Sequence, residues 1–274
     1  MEYFWTYETD LPAGVGFSHF QGAHLCWLLV LAAMAVTGGI LFAKQQYDTQ
    51  LHIQAVLSIT MLLVELVQDC YLKVSGHLDI NQLPLHLCGL ALFITAARNF
   101  SLAALCRKKG DCRQGMGIRR MAVYLGDVQY ALCLPGALAA LLFPDWTAYP
   151  PLSFMSIVGF VNHGLLVTSG LYLCLEKPFS VHIRHIWRPV TFLCLLVPIM
   201  YAFDRAYGVN YMFLLWGPVN SPLALLEQKW QEEYLLGYGI LVMLVMVVWY
   251  LLGMLVVWLR KKFIFLSGCS IIIR

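Results

Sequence analysis

Seven stretches of predominantly apolar residues recur along this chain, each near the ~20 residues a helix needs to cross the hydrocarbon of a bilayer. They fall at roughly 20–43, 53–72, 84–105, 121–143, 152–174, 187–206 and 235–259. A segment in lipid must satisfy its own backbone hydrogen bonds, which leaves the helix as the form for each stretch. Composition agrees: 60% of the 274 residues are hydrophobic and only 12% charged, against about 25% charged in a soluble domain. The expectation is an all-α polytopic membrane protein, a bundle of about seven transmembrane helices in a single domain spanning residues 1–274. Gly126, Asp127, Gln129, Pro135 and Gly136 interrupt the fourth stretch, and Pro189 and Pro198 lie in the sixth. Neighbouring helices can satisfy the backbone groups that such breaks free.

The loops alternate in charge. Residues 107–120 hold six basic groups against Asp111, and Lys177, Arg184 and Arg188 make the next loop on that side basic. Arg260-Lys261-Lys262 follows the last stretch. By contrast, Glu2, Glu8 and Asp10 lie at the N-terminus, Asp145 is the only charge in 144–151, and the 207–234 loop is acidic, with a short helix expected at Pro222 to Tyr234. The positive-inside rule then predicts an outside N-terminus and a cytoplasmic C-terminus, which requires an odd number of spans. The first nineteen residues contain no Lys or Arg. The basic region of a signal peptide is therefore missing, and the first span is expected to stay in the mature protein. A net charge of +3 gives no electrostatic footprint for nucleic acid. The apolar tail from Phe263 to Ile273 is too short to span.

Polar groups inside a span are costly and point to function. Glu65, Gln68 and Asp69 share one face of the second span. The third opens with Leu83-Pro84-Leu85-His86-Leu87-Cys88, an imidazole and a thiol two residues apart. Pro84 is expected at the first helical position, where its missing N–H costs nothing. Two residues on a helix turn through about 200°, so His86 and Cys88 diverge unless the first turn is distorted. Asp127 and Gln129 lie in the fourth span, Asn162 and His163 in the fifth, and Asn210-Tyr211 after the sixth. A rise of 1.5 Å per residue puts His163 ~16 Å below the start of its span, deeper than Cys88. For the two to meet, the 150–155 segment must stand above the bilayer. Arg98 is expected to reach the headgroups or pair with Asp127. His19, His24 and His52 are expected at the interface, and His182 and His185 against lipid phosphates. No CxxC occurs among the nine cysteines, and all but Cys88 read as packed small hydrophobes. Composition and spacing alone describe a polytopic protein with a polar cavity in its outer half.

Three motifs in order carry a resemblance: Leu83-Pro84-Leu85-His86-Leu87-Cys88, Phe160-Val161-Asn162-His163-Gly164 and Gly208-Val209-Asn210-Tyr211-Met212-Phe213-Leu214. Together they resemble the YwaF family of bacterial membrane proteins, which includes animal transmembrane protein 164. The likeness runs from the second span to the loop after the sixth. It implies a glycerophospholipid acyltransferase whose catalytic cysteine and histidine fall on Cys88 and His163. His86, Asn162, Asn210, Tyr211, Glu65 and Gln129 are then the oxyanion or supporting polar groups. Phospholipid and lysophospholipid would be the substrates, membrane lipid the surroundings, and a bacterial plasma membrane the location, with no cofactor and no metal.

Other classes use the same residues differently. A transporter or channel would run a polar path through Glu65, Asp69, Asp127 and Arg98. A phospholipase would use the Cys88–His163 pair with water as acceptor, and a metal site would take His86, Cys88 and His163 as ligands. A seven-span receptor shares only the span count.

Overall fold

The computed structural model describes residues 2–107, 112–176, 179–219 and 221–266, and these fold into helices and turns with no strand among them. The helices are α1 (Gly22–Ala43), α2 (Tyr47–Val74), α3 (Leu87–Arg107), α4 (Cys112–Val128), α5 (Leu134–Leu142), α6 (Phe154–Leu175), α7 (Trp187–Tyr207), α8 (Pro222–Trp230) and α9 (Tyr234–Leu266). A π turn, Gln129–Cys133, joins α4 to α5 without a break. Among the described residues, seven stretches are long and apolar enough to cross a membrane, with α4 through α5 forming one and α8 through α9 another. The short helix expected at Pro222 is α8. The tail from residue 267 lies outside the described residues, as do Lys108, Lys109, Asp111 and Lys177 of the basic loops. Residues 2–21 lie at one end of the bundle, here the N-terminal face.

Several bounds differ from expectation: α4 starts at Cys112 rather than 121, α3 at Leu87 rather than 84, and α9 runs to Leu266 rather than 259. The second helix starts at Tyr47 rather than 53, because its polar first turns are satisfied. Asp48 sits at the positive end of the helix dipole, and buried Gln50 donates through Nε2 to Phe42 O at 3.1 Å. In the fourth span, Pro135 lacks an N–H to continue the α ladder. The preceding turn widens, and Leu134 N–H reaches back five residues to Gln129 O.

The bundle has a buried centre and a lipid-facing ring. The most apolar windows of α4–α5 and α6 are 61% and 56% buried, against 17% for α1 and 11% each for α7 and α8–α9. At the centre, α6 packs on α1, α2, α3, α5 and the π turn. Cys26, Cys70 and Cys194 lie on exposed faces, so they are not the packed core groups expected. His24 is fully buried rather than interfacial. Its Nδ1 accepts from Phe20 N–H at 2.8 Å, and its Nε2 donates to Leu141 O at 2.8 Å.

One polar network ties α2, α3 and α6 together. Arg98 does not reach headgroups or pair with Asp127. It is buried and forms an ion pair with Glu176, which follows α6. Gln54 donates to Glu176 Oε1 and to Ser169 O, both at 3.1 Å. Asn99 accepts from Arg98 at 2.8 Å and donates to Ser58 Oγ at 3.0 Å and Gln54 O at 3.2 Å. Gln129 donates to Ser169 Oγ at 3.2 Å, so it joins this network rather than the candidate site. Asp127 instead anchors α7, accepting from Arg188, with His185 Nδ1 3.4 Å away. His185 therefore faces a carboxylate, not lipid phosphate.

Residues 3–20 cross the N-terminal face as a strap. Phe4 O accepts from Phe154 N at 2.9 Å, and Trp5 O accepts from Tyr71 OH at 2.7 Å. Tyr7 stacks on His77 at 4.0 Å and accepts from Gln82 Nε2 at 2.8 Å.

Removing one member of a buried ion pair leaves the other uncompensated, at a cost of about 3–5 kcal/mol. Glu176→Ala should therefore lower unfolding stability in detergent by that order, and Glu176→Ala with Arg98→Leu should recover most of the loss.

Candidate active site at the start of α3

The chain approaches α3 through a turn held on both sides. Asp79 caps the short 3-10 turn Ile80–Gln82, accepting from Asn81 N–H at 2.8 Å. Tyr211 OH donates to Ile80 O and accepts from Leu83 N–H at 3.0 Å. Pro84 is not the first helical residue. It lies in the turn, and the helix begins at Leu87, with His86 O accepting the first helical bond from Leu90 N–H at 3.0 Å. The turn folds back so closely that a Cβ on Gly89 would stand 2.7 Å from the Pro84 carbonyl. Only glycine fits that contact. Because His86 precedes the helix, the 200° separation of helical neighbours does not apply to His86 and Cys88.

This early turn also settles the depth problem. Asn99 of α3 pairs with Ser58 and Gln54 of α2. The two helices are antiparallel, so Cys88 lies level with residues 65–69 of α2. The start of α3 is thus recessed by roughly 10 Å from the end of α2. At that same level Glu65 Oε2 accepts from Asn162 Nδ2 at 3.0 Å, which puts His163 at the depth of Cys88.

Two histidines are held in opposite tautomers by backbone partners. A carbonyl only accepts, so His163 donates to Gly159 O, 2.7 Å away, through Nδ1–H. Its Nε2 in the neutral ring is left with a lone pair. A backbone amide only donates, so His86 Nδ1 accepts from Met212 N–H at 3.3 Å. Its Nε2 in the neutral ring carries the proton. The His86 ring also packs against Tyr211 and Phe213, each at 5.0 Å.

The segment that offers Met212 N–H is strained. Met212 and Phe213 both have φ of +56°, a left-handed conformation that costs of order 1–3 kcal/mol each outside glycine. Surrounding groups hold it. Asp204 Oδ1 accepts from Tyr211 N–H at 2.9 Å. Tyr238 OH donates to Met212 O at 3.2 Å, and Tyr234 OH donates to Phe213 O at 2.8 Å. Asn210 Oδ1 accepts from Leu215 N–H and its Nδ2 donates to Trp216 O, at 2.9 and 2.8 Å.

Cys88 and His163 are both half-buried and retain accessible surface. Neither Cys88 Sγ nor His163 Nε2 makes a hydrogen bond among the described residues, so the two are not a bonded pair. His163 lies within electrostatic reach of His86, and the Asp145 carboxylate within reach of His86, His163 and Cys88. A cleft of about 320 Å³ adjoins His86, walled by Asn81, Asn210, Tyr211, Phe213 and Trp216 among others, with no charged side chain in its lining. No group of three or more His, Cys, Asp or Glu side chains able to hold a metal ion occurs among the described residues.

Of the residues singled out in the sequence, Cys88, His86, Glu65, Asn162 and His163 come together at one level. Asn210 and Tyr211 spend their polar groups on loop geometry, so they hold the site rather than offer free donors. Gln129 lies with the buried network one to two turns deeper. Asp145, Trp146 and Gly159 were missed. Trp146 stacks on His163 at 5.0 Å with an interplanar angle of 27°. The only signal was Asp145 as the lone charge of its loop.

Asp204→Ala should release Tyr211 N–H and relax the strained turn. The expected result is a stability loss of about 1–3 kcal/mol and a change in the His86 imidazole ¹⁵N resonances as the Met212 bond weakens.

Comparison with known proteins bears on the whole arrangement. No curated protein and no solved structure matches the chain. A family model matches residues 17–250, a range that contains all seven apolar helical stretches or most of each, with every residue of the candidate site. The chain belongs to the TMEM164 family.

Proposed function

We propose that the chain is a membrane-embedded acyltransferase that moves a fatty acyl chain between glycerophospholipids through a thioester on Cys88. The observation that carries this reading is the pair of opposed tautomers beside the thiol. His163 offers a bare Nε2 and can serve as base. His86 offers an Nε2–H and can serve as donor.

In the first half-reaction His163 Nε2 takes the proton of Cys88 Sγ, and the thiolate attacks the ester carbonyl of the donor phospholipid. Charge gathers on the carbonyl oxygen, for which His86 Nε2–H is a candidate donor. Collapse breaks the ester C–O bond. The departing alkoxide takes the proton from His163, giving a lysophospholipid and an acyl thioester. In the second half-reaction His163 Nε2 takes the proton of an acceptor lysophospholipid hydroxyl. That oxygen attacks the thioester, the C–S bond breaks, and the proton returns to Cys88. The Glu65–Asn162 pair lies beside His163 and supplies polar surroundings for the transient imidazolium, which an apolar cavity would disfavour.

The lack of a direct Sγ–Nε2 hydrogen bond fits a resting site, because catalytic hydrogen bonds are often long until substrate binds. The recessed level of Cys88 suits an ester carbonyl, which lies below the headgroup. The buried Arg98–Glu176 network, with its groups bonded to one another, closes the deeper bundle and argues against a continuous transport path. The loop charges described above support an outward N-terminal face, and the family resemblance alone suggests a bacterial plasma membrane.

Intact-mass spectrometry after incubation with phospholipid should show one acyl adduct on Cys88, labile to hydroxylamine and absent in Cys88→Ala. An adduct on another residue, or full turnover by Cys88→Ala, would overturn the thioester. His86→Ala should still form the adduct, with kcat lower by about 10²–10³, the cost of losing one oxyanion donor. Release of free fatty acid without transfer to added lysophospholipid would identify a phospholipase instead.

A further inference from the structure

His163 is held by more than its own helix. Gly159 lies one turn before it on α6 and accepts its Nδ1–H. Gly159 has no side chain, and the Trp146 indole occupies that space: a Cβ there would stand 2.8 Å from Trp146 Cε2 and 3.0 Å from Cδ2. The same indole stacks over the His163 imidazole, with ring centroids 5.0 Å apart and the planes inclined by 27°. It meets Phe160 edge-on at 5.4 Å. One glycine thus admits the plate and supplies the acceptor.

The indole is placed independently of His163. Its turn is fastened from outside by backbone and side-chain bonds. Phe17 N–H donates to Thr147 O at 3.0 Å, His19 Nε2 lies 3.1 Å from Pro144 O, and Trp27 Nε1–H donates to Pro151 O at 2.9 Å. Trp146 Nε1 is itself buried without a partner. The indole is therefore seated by its turn and by ring packing on His163 and Phe160, not by a hydrogen bond of its own.

We propose that Trp146, admitted by Gly159, is a positioning residue that holds the His163 ring on the Gly159 carbonyl, in the Nδ1–H tautomer. This rests on reading His163 as the general base. Without the plate the ring turns about its side-chain torsions, the Nδ1–H bond to Gly159 is lost, and the proton distributes between the two nitrogens. Nε2 is then no longer uniformly bare. A misplacement of about 1 Å at a reacting group can cost ~10² in rate, which sets the scale of the effect. The role is mechanical, since the indole exchanges no proton with the substrate.

The test compares Trp146→Ala, Trp146→Phe and Gly159→Ala, each checked as monodisperse in detergent, by kinetics and by ¹⁵N NMR of the His163 ring. Trp146→Ala should lower kcat by about 10–10² with KM little changed, and should convert the single His163 tautomer to a mixture. Trp146→Phe keeps a plate and should recover most of both. Gly159→Ala should displace the indole and behave like Trp146→Ala. Trp146→Ala that retains both kcat and the Nδ1–H tautomer overturns the proposal. If the alanine variant does not fold, Gly159→Ala with an unchanged tautomer overturns it in the same way. His163→Ala is the separate control. If it still loads Cys88 at the wild-type rate, the general-base reading fails, whereas the tautomer measurement on Trp146→Ala judges the plate independently.

Discussion

The register of α2, α3 and α6 depends on one buried group of polar side chains. Gln54, Ser58, Arg98, Asn99, Ser169 and Glu176 bond to one another across three helices. In a lipid-bounded bundle the hydrophobic effect does little to choose how far one helix slides past another, because apolar side chain and lipid tail are nearly equivalent. Hydrogen bonds with fixed partners do choose. A shift of one helical turn would strand several buried donors at once. The depth at which Cys88 meets the level of His163 is thus decided about eleven residues away, at Asn99 and Ser58, and the polar groups near the thiol inherit it.

The architecture was legible because its signal is repeated and crude. Seven runs of apolar residues separated by charged or turn-forming segments leave few alternatives, and the boundaries moved mainly where polar side chains were satisfied locally, as at Gln50. The level of α3 was not legible. Pro84 is an ordinary first helical residue by every local rule, and only the contact between Gly89 and Pro84 shows the turn folding back. Glu176 stood just past a span boundary and 78 residues from Arg98, and no local pattern joins them. The sequence therefore offers Arg98 only the headgroups or Asp127. Asp127 instead binds Arg188.

The candidate site divides in the same way. Cys88, His86, Asn162 and His163 stood out because reactive and polar groups are rare in apolar spans. Their protonation roles did not, because a tautomer is set by the partner of the other ring nitrogen, here a carbonyl on α6 in one case and an amide from residue 212 in the other. Asn210 and Tyr211 were conspicuous for a different reason. They hold a turn that two non-glycine residues must enter with positive φ, a conformation that no composition rule anticipates at Met212 and Phe213. Nothing in the sequence singles out Trp146. Its link to His163 runs through the absence of a side chain at residue 159.

The π turn between α4 and α5 has a consequence for the other end of that span. A π turn takes in one residue more than an α turn, so the helix beyond it is out of phase with the helix before it by about 100°. Asp127 and Gln129 can therefore face α7 and α6 while Leu134, Ala137 and Leu141 still point into the core. The phase slip also sets the azimuth at which the chain leaves α5 at Leu142, and hence where residues 144–149 land on the N-terminal face. A single-residue indel at Gln129–Cys133 acts as a rotary adjustment on everything downstream to the start of α6, and it would swing the indole off the imidazole without touching either ring.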